Sequence, residues 1–328
     1  SIQNLLLVSL NTWVNFENTS NLESGLKLLN AIPESLKNVK KIQKVFAHCY
    51  FNSPKTDEMF KKLTSNPDTN YSRYHFFHAN YLISKKQIKK AKEVIKSSLD
   101  RYPRNLMLNQ LKLDINKNEI SSNRFSCKNS SDVIAEIFYI SANSLAVQNN
   151  YLLSNFYLSL AKYLNPNLVA FDSLYAENFF LIQEYEKAKK IYTAIKKSGP
   201  VYNWYGSKKI ALILIEQERK EDALNSLKKS YKKIDNPTDY EIFEYAEILN
   251  NNEKYEESIE YYTKVLTLIS SQDSLYARVM DGRGIAYERT NQWGKGETDL
   301  LNSLIVSPNN AFVLNYLAYS WIEKGINI

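Results

Sequence analysis

Apolar residues in this chain recur at three- and four-residue intervals, in runs long enough for helices, and successive runs are separated by short polar turns. That pattern predicts helical hairpins. The clearest hairpin covers 277–310. Its first helix carries Met280, Gly284 and Tyr287 on one face, and Asn291 and Gln292 make the turn. The second helix carries Trp293, Gly296, Leu300 and Ser303, and Pro308 stops it, because proline lacks an N–H and clashes with the preceding turn. Gly284 and Gly296 fall where the two helices cross, where a small side chain lets the backbones approach.

The same register recurs. A small residue precedes a proline by twelve positions at Ala91 and Pro103, Ser154 and Pro166, Ala188 and Pro200, and Gly296 and Pro308. Another small residue stands twelve positions earlier still, at Ala79, Ala142, Ala176 and Gly284. Further hairpins follow over 72–105, 135–168, 169–203, 204–238 and 239–276. The last is four residues too long, and the excess fits a loop at 270–273. The expected fold is all-α: a right-handed superhelical solenoid of antiparallel helix pairs, with a period of about 34 residues.

The ends and one internal stretch depart from this register. The first 71 residues hold two degenerate hairpins, at 5–14 with 22–29 and at 39–51 with 55–63, the second with Ala47 and Met59 at its crossing. Residues 106–116 read as a first helix whose partner is missing, and 117–131 is polar without helical periodicity. The expected organisation is therefore degenerate hairpins over 1–116, an irregular connection over 117–134, and a regular array over 135–328. Residues 312–324 predict one further first helix, with Leu314, Leu317 and Trp321 turned towards the preceding repeat. The start at Ser1 and the stop inside a repeat predict a piece of a longer protein.

Composition adds little to this picture. Only 8 Gly and 8 Pro among 328 residues suit helical hairpins, and 24 Tyr can fill the seams between stacked helices or line a wet groove. The net charge of +7 admits an acidic partner or a nucleic acid, but no contiguous basic block appears, so nucleic-acid binding is not expected. Cys49 reads as a small core residue and Cys127 lies in a polar stretch; the pair does not decide the redox compartment. The longest compact apolar run, 210–215, is far too short for a membrane span.

These units resemble the tetratricopeptide repeat family over nearly the whole chain. The segment Gly284-Ile285-Ala286-Tyr287-Glu288-Arg289, with Trp293, Ser307-Pro308, 314–321 and Gly325-Ile326-Asn327, is similar to long alphaproteobacterial proteins of that family. The resemblance implies a protein or peptide partner, an adaptor or scaffold without an activity of its own, and export to a bacterial periplasm or cell envelope, with the cytoplasm left open. The alternative expectation, from another functional class, is a substrate-recruiting arm of a larger multidomain enzyme. In the family, first helices line the concave face. Carried over, the groove would hold Phe76, Asn80, Tyr139, Asn143, Tyr205 and Lys208, then Tyr240, Phe243, Arg278, Asp281, Phe312, Asn315 and Tyr319. Lys208, Arg278 and Asn315 come nearest to a carboxylate clamp, without repeating its spacing. Aromatics and amides on one face suit an extended peptide.

Catalytic chemistry is not expected. His75 and His78 are three apart on one helix, a metal-compatible spacing, yet both occupy packing positions. Gly282-Arg283-Gly284 lies inside a helix rather than in a phosphate loop. No nucleophile-base motif, cofactor motif or metal set is present.

Overall fold

The computed structural model describes residues 2–66, 69–119 and 124–325. Among them are eighteen α-helices. In chain order they are α1 (Ile2–Thr19), α2 (Leu22–Leu29), α3 (Lys37–Tyr50), α4 (Thr56–Thr64), α5 (Ser72–Ser84) and α6 (Ile88–Arg101). Then come α7 (Leu106–Lys117), α8 (Ser130–Val147), α9 (Tyr151–Leu164), α10 (Val169–Leu181), α11 (Tyr185–Ile195) and α12 (Pro200–Glu216). The last six are α13 (Lys220–Tyr231), α14 (Asp239–Asn251), α15 (Tyr255–Leu266), α16 (Tyr276–Arg289), α17 (Trp293–Val306) and α18 (Ala311–Lys324). Successive helices pack as antiparallel pairs, among them α5 with α6, α8 with α9, α10 with α11, α14 with α15 and α16 with α17.

Each pair is built from the same backbone parts. The N–H groups of Gln87, Asn150, Glu184, Lys254 and Gln292 bond back five residues, to Leu82, Leu145, Phe179, Leu249 and Tyr287, at 2.8 to 2.9 Å. The residue before each donor (Lys86, Asn149, Gln183, Glu253 or Asn291) has φ between 59° and 64°. This is a Schellman turn, which satisfies orphan carbonyls and reverses the chain; glycine usually occupies its left-handed position, but no glycine does here. Second helices α6, α9 and α17 end with the N–H of Tyr102, Asn165 and Ser307 bonded to Ser98, Ala161 and Ser303, one residue before Pro103, Pro166 and Pro308. Asn105 and Asn310 then cap the next helix through Leu108 N and Val313 N.

Pro200 departs from the expected role. The repeat register places Pro200 after a second helix, with the next unit starting at Trp204. Instead α11 ends at Ile195, Gly199 turns with φ 136°, and Pro200 opens α12. A proline's missing N–H costs nothing at a helix's first position.

The crossing residues Ala79, Ala91, Ala142, Ser154, Ala176 and Ala188 are all fully buried. At the glycine pair the fit is tighter still. A Cβ on Gly296 would lie 2.7 Å from the Gly284 carbonyl oxygen, and one on Gly284 would lie 3.0 Å from the Gly296 oxygen. Gly282 and Gly284 lie inside α16.

The chain divides into two compact units, Ser1–Gln217 and Glu218–Ile328. In the first unit, contacts extend beyond neighbouring repeats: α8 packs on α1 and α3, and α7 on both α5 and α12. Ser130 donates to Glu17, and Gln110 Oε1 accepts from Val201 N at 3.1 Å. The stretch between α7 and α8 lies in this unit, and 120–123 fall outside the described residues. Its described part is tied down. Phe125 stacks on Phe77 with ring centroids 4.0 Å apart, Arg124 bonds Asp114 at 2.8 Å, and Asn165 donates to Arg124 O at 3.0 Å. Cys127 in this stretch is bonded to Cys49 of α3, with Cα atoms 5.8 Å apart. Cys49 is a core residue as expected, and Cys127, despite its polar stretch, is buried with it as the other half of a disulfide.

In the second unit, Tyr231 stacks on Tyr245 at 4.2 Å, and Arg283 grips Asp299 of α17 through two bonds of 2.7 and 2.9 Å. The expected excess loop lies in the connection between α15 and α16. On α18, Val313, Leu317 and Ser320 face inward, whereas Leu314 is exposed, contrary to expectation. Trp321 donates to Glu297 at 2.6 Å. In the early hairpin α3–α4, Ala47 and Phe60 are fully buried and Met59 only half-buried.

Candidate functional site

An open cavity of about 420 Å³ lies within the first unit, where α5, α7, α8, α10 and α12 converge. One helical stripe of α10 faces it through Ala170, Ser173, Leu174 and Glu177; Tyr202 and Tyr205 reach it from α12, and Tyr139 from α8. Ser72 and Arg73 at the start of α5, and 104–107 at the entry to α7, complete the wall. The bond from Val201 N to Gln110 holds α7 against α12 at this point. Gly199 has φ 136°, a conformation that side-chain-bearing residues rarely adopt, and a Cβ there would also lie 2.4 Å from the end of the Gln110 side chain.

Charge in the wall is largely compensated. Arg73 lies between the Tyr139 ring, 4.0 Å from its centroid, and Glu136, which it holds with two bonds of 2.7 and 2.5 Å. Burial pulls the Arg73 guanidinium down, but the Glu136 carboxylate outweighs it and holds it above its usual range. A buried pair of this kind is costly to break from one side, because the remaining charge stays desolvated. Glu177 accepts from Tyr192 at 3.0 Å and from Lys209 at 2.6 Å. Burial pushes the phenols of Tyr139 and Tyr205 up and that of Tyr202 up to about 12. All three are therefore neutral O–H groups at physiological pH, able to donate and accept.

The structure sorts the groove residues expected from the sequence. Tyr139 and Tyr205 meet at the cavity. Phe76 and Phe243 do not face any groove: their exposures are 1% and 0%. Phe76 packs against Phe77, and Phe243 lies beneath the Arg278 guanidinium, 4.7 Å from the ring centre, with Tyr262 on its flank. Asn80 bonds back to Phe76 O at 3.1 Å, Asn143 is exposed, and Lys208 approaches the Trp204 ring at 5.6 Å. In the second unit Tyr240 bonds Ser274, Arg278 bonds Glu247, and Asp281 accepts from Asn310. Phe312, Asn315 and Tyr319 are exposed on α18.

Only Tyr139 and Tyr205 of the cavity lining were expected from the sequence; Arg73, Arg104, Leu174, Glu177 and Tyr202 are among those that were not. The three-four spacing along α10 was the available signal for Leu174 and Glu177, and Tyr202 was hidden by the misplaced start of α12. The two histidines sit as packing residues. His78 stacks on Phe60 and bonds Asp57 at 2.7 Å, and His75 lies near Tyr102. Among the described residues no group of three or more His, Cys, Asp and Glu could hold a metal ion. No described helix is long and apolar enough to cross a membrane.

No family model matches the chain, and no curated protein matches it significantly. Among solved structures it is similar to YrrB, described as a TPR protein with an unusual peptide-binding site. That match has 17% identity and a TM-score of 0.40, covering 58% of this chain and 94% of that one. It is similar also to the APC/C hetero-tetramer Cut9–Hcn1, with 15% identity and a TM-score of 0.44, covering 93% of this chain and 53% of that one. A third is PilF of Pseudomonas aeruginosa, with 11% identity and a TM-score of 0.40, covering 76% and 97%.

Proposed function

We propose that the chain is a non-enzymatic adaptor or scaffold, and that the cavity of the first unit takes a short extended segment of a partner protein. The supporting observation is the convergence of Tyr139, Tyr202 and Tyr205 with the α10 stripe in one open cavity. Ring faces and neutral hydroxyls supply contact area at low entropic cost and bond backbone groups of either polarity. Its volume is in the range of ordinary ligand pockets, enough for a few side chains rather than a domain. A photo-crosslinking residue at Ser173 should capture a discrete partner, and Tyr205→Ala with Leu174→Arg should abolish capture while far-ultraviolet circular dichroism stays unchanged. Undiminished capture by that double variant would sink the reading.

We further propose that the protein works in an oxidising compartment of a bacterial envelope. The Cys49–Cys127 disulfide supports this, since such bonds form and persist where thiols are not kept reduced. Trapping thiols in intact cells with a maleimide checks it; a chain carrying two labelled cysteines without prior reduction would contradict it.

A further inference from the structure

A basic surface lies away from the cavity, on α6 and the turn before it. The segment 85–96 contains six lysines, interrupted by Gln87, Ile88, Ala91, Glu93, Val94 and Ile95, so no contiguous block exists in the sequence. Folding gathers them. Ala91 and Ile95 are buried, and Lys86, Lys89, Lys90, Lys92 and Lys96 are all exposed. The Lys85 ammonium donates to Asn52, whereas none of those five side chains makes a hydrogen bond or ion pair among the described residues. Lys89, Lys90, Lys92 and Lys96 spread along about 10 Å of helix, and Lys86 lies in the turn before it. Second helices α13 and α15 balance their charge differently: Glu221 and Asp222 open α13, Glu256 and Glu257 open α15, and Lys228 of α13 and Lys254 just before α15 are paired with acids.

From this cluster we infer that α6 docks the protein on an anionic phospholipid surface. Several lysines on the polar face of one amphipathic helix form a field suited to a diffuse layer of headgroup charge. Three observations separate lipid from other polyanions. The charges are lysines, which act as point charges, rather than the forked arginines that read phosphate bidentately. The exposed positions among them are Gln87, Glu93 and Ser97, with no exposed aromatic on which a nucleic-acid base could stack. Nor does an exposed apolar anchor sit among them, of the kind that centres a protein interface.

The test is vesicle co-sedimentation of the whole chain. Vesicles of phosphatidylcholine with about 30% phosphatidylglycerol should bind it at about 0.05 M salt and release it at about 0.3 M, while pure phosphatidylcholine vesicles should not bind. Each lysine near such a surface is worth about fivefold in partitioning, so the triple variant Lys89→Gln, Lys90→Gln, Lys96→Gln should weaken binding about a hundredfold. The matching Lys→Arg triple should retain it. Equal partitioning to neutral and anionic vesicles would overturn the proposal, as would full binding by the Gln variant. Lysine-dependent binding of single-stranded RNA or polyglutamate, without binding to anionic vesicles, would likewise overturn it.

Discussion

Replacing Gly296 by alanine tests the packing of the helix pair directly. In an open helix interior alanine is favoured over glycine by about 1 kcal/mol. At Gly296 the added methyl would lie 2.7 Å from the Gly284 carbonyl oxygen and 3.3 Å from the Glu288 nitrogen, both backbone atoms. No rotamer change relieves such contacts, so α16 and α17 must part. Overpacking of this kind costs about 1–3 kcal/mol. The parting also strains the Arg283–Asp299 clamp between the same helices. The overpacking cost less the propensity gain leaves a loss of about 0–2 kcal/mol, and the strained clamp moves the expectation to the upper part of that range. Gly294, two residues away, is the internal control. A Cβ there meets nothing within 4 Å, so Gly294→Ala should be neutral or mildly stabilising. Urea unfolding followed by circular dichroism gives the overall effect, and hydrogen exchange of peptides from α16 and α17 localises it. If Gly296→Ala matched or exceeded the parent in both measurements, close backbone contact would not be what selects small residues at the crossings.

Other expectations follow from the same structure. Glu253→Gly should raise stability by about 0.5–1 kcal/mol in urea unfolding, because φ 64° is disfavoured for glutamate and free for glycine. Cys49→Ser with Cys127→Ser should cost about 4 kcal/mol by the chain-entropy account of a closed loop, given the separation of 78 residues. Burial, with smaller contributions from His78 and Arg101, holds the His75 imidazole down to about 4 from 6.5. A depressed pKa gives stability that is present above 6.5 and lost as pH falls through 4, so His75→Gln should flatten the acid side of a urea-midpoint profile. Burial raises Asp132 to about 6 from 3.8, which acts with the opposite sign: its contribution is present below 3.8 and lost as pH rises through 6, and Asp132→Asn should remove that slope.

The helix-pair architecture was legible because its signals are steric necessities. Only small residues fit where backbones nearly touch, and only certain positions tolerate proline, so the twelve-residue spacing reports geometry rather than composition. Pro200 shows the limit of that signal, since a proline can end one helix or open the next. The Schellman turns were invisible for a related reason: their left-handed positions hold Lys, Asn, Gln and Glu, which carry no glycine signature. The site was half legible. Tyr139 and Tyr205 follow from position within the repeat, but that rule assumes an empty inner face. Phe76 and Phe243, expected by the same rule, are instead consumed as core. The disulfide could not be paired from sequence, because two cysteines 78 residues apart fix neither distance nor orientation.

The Cys49–Cys127 bond and the packing of α8 on α1 alter how the first unit should come apart. In an open repeat array each unit leans only on its neighbours, so ends fray and boundaries wander as in a one-dimensional chain. Here the N-terminal helix rests on one more than a hundred residues away in sequence, and a covalent bond joins repeats that are not adjacent. Local fraying at α1 then exposes surface on α8 as well, so partial opening is penalised twice. The first unit should melt as a single cooperative block, with amides of α1, α3 and α8 exchanging together, while the second unit, Glu218–Ile328, keeps the graded exchange of an ordinary repeat array.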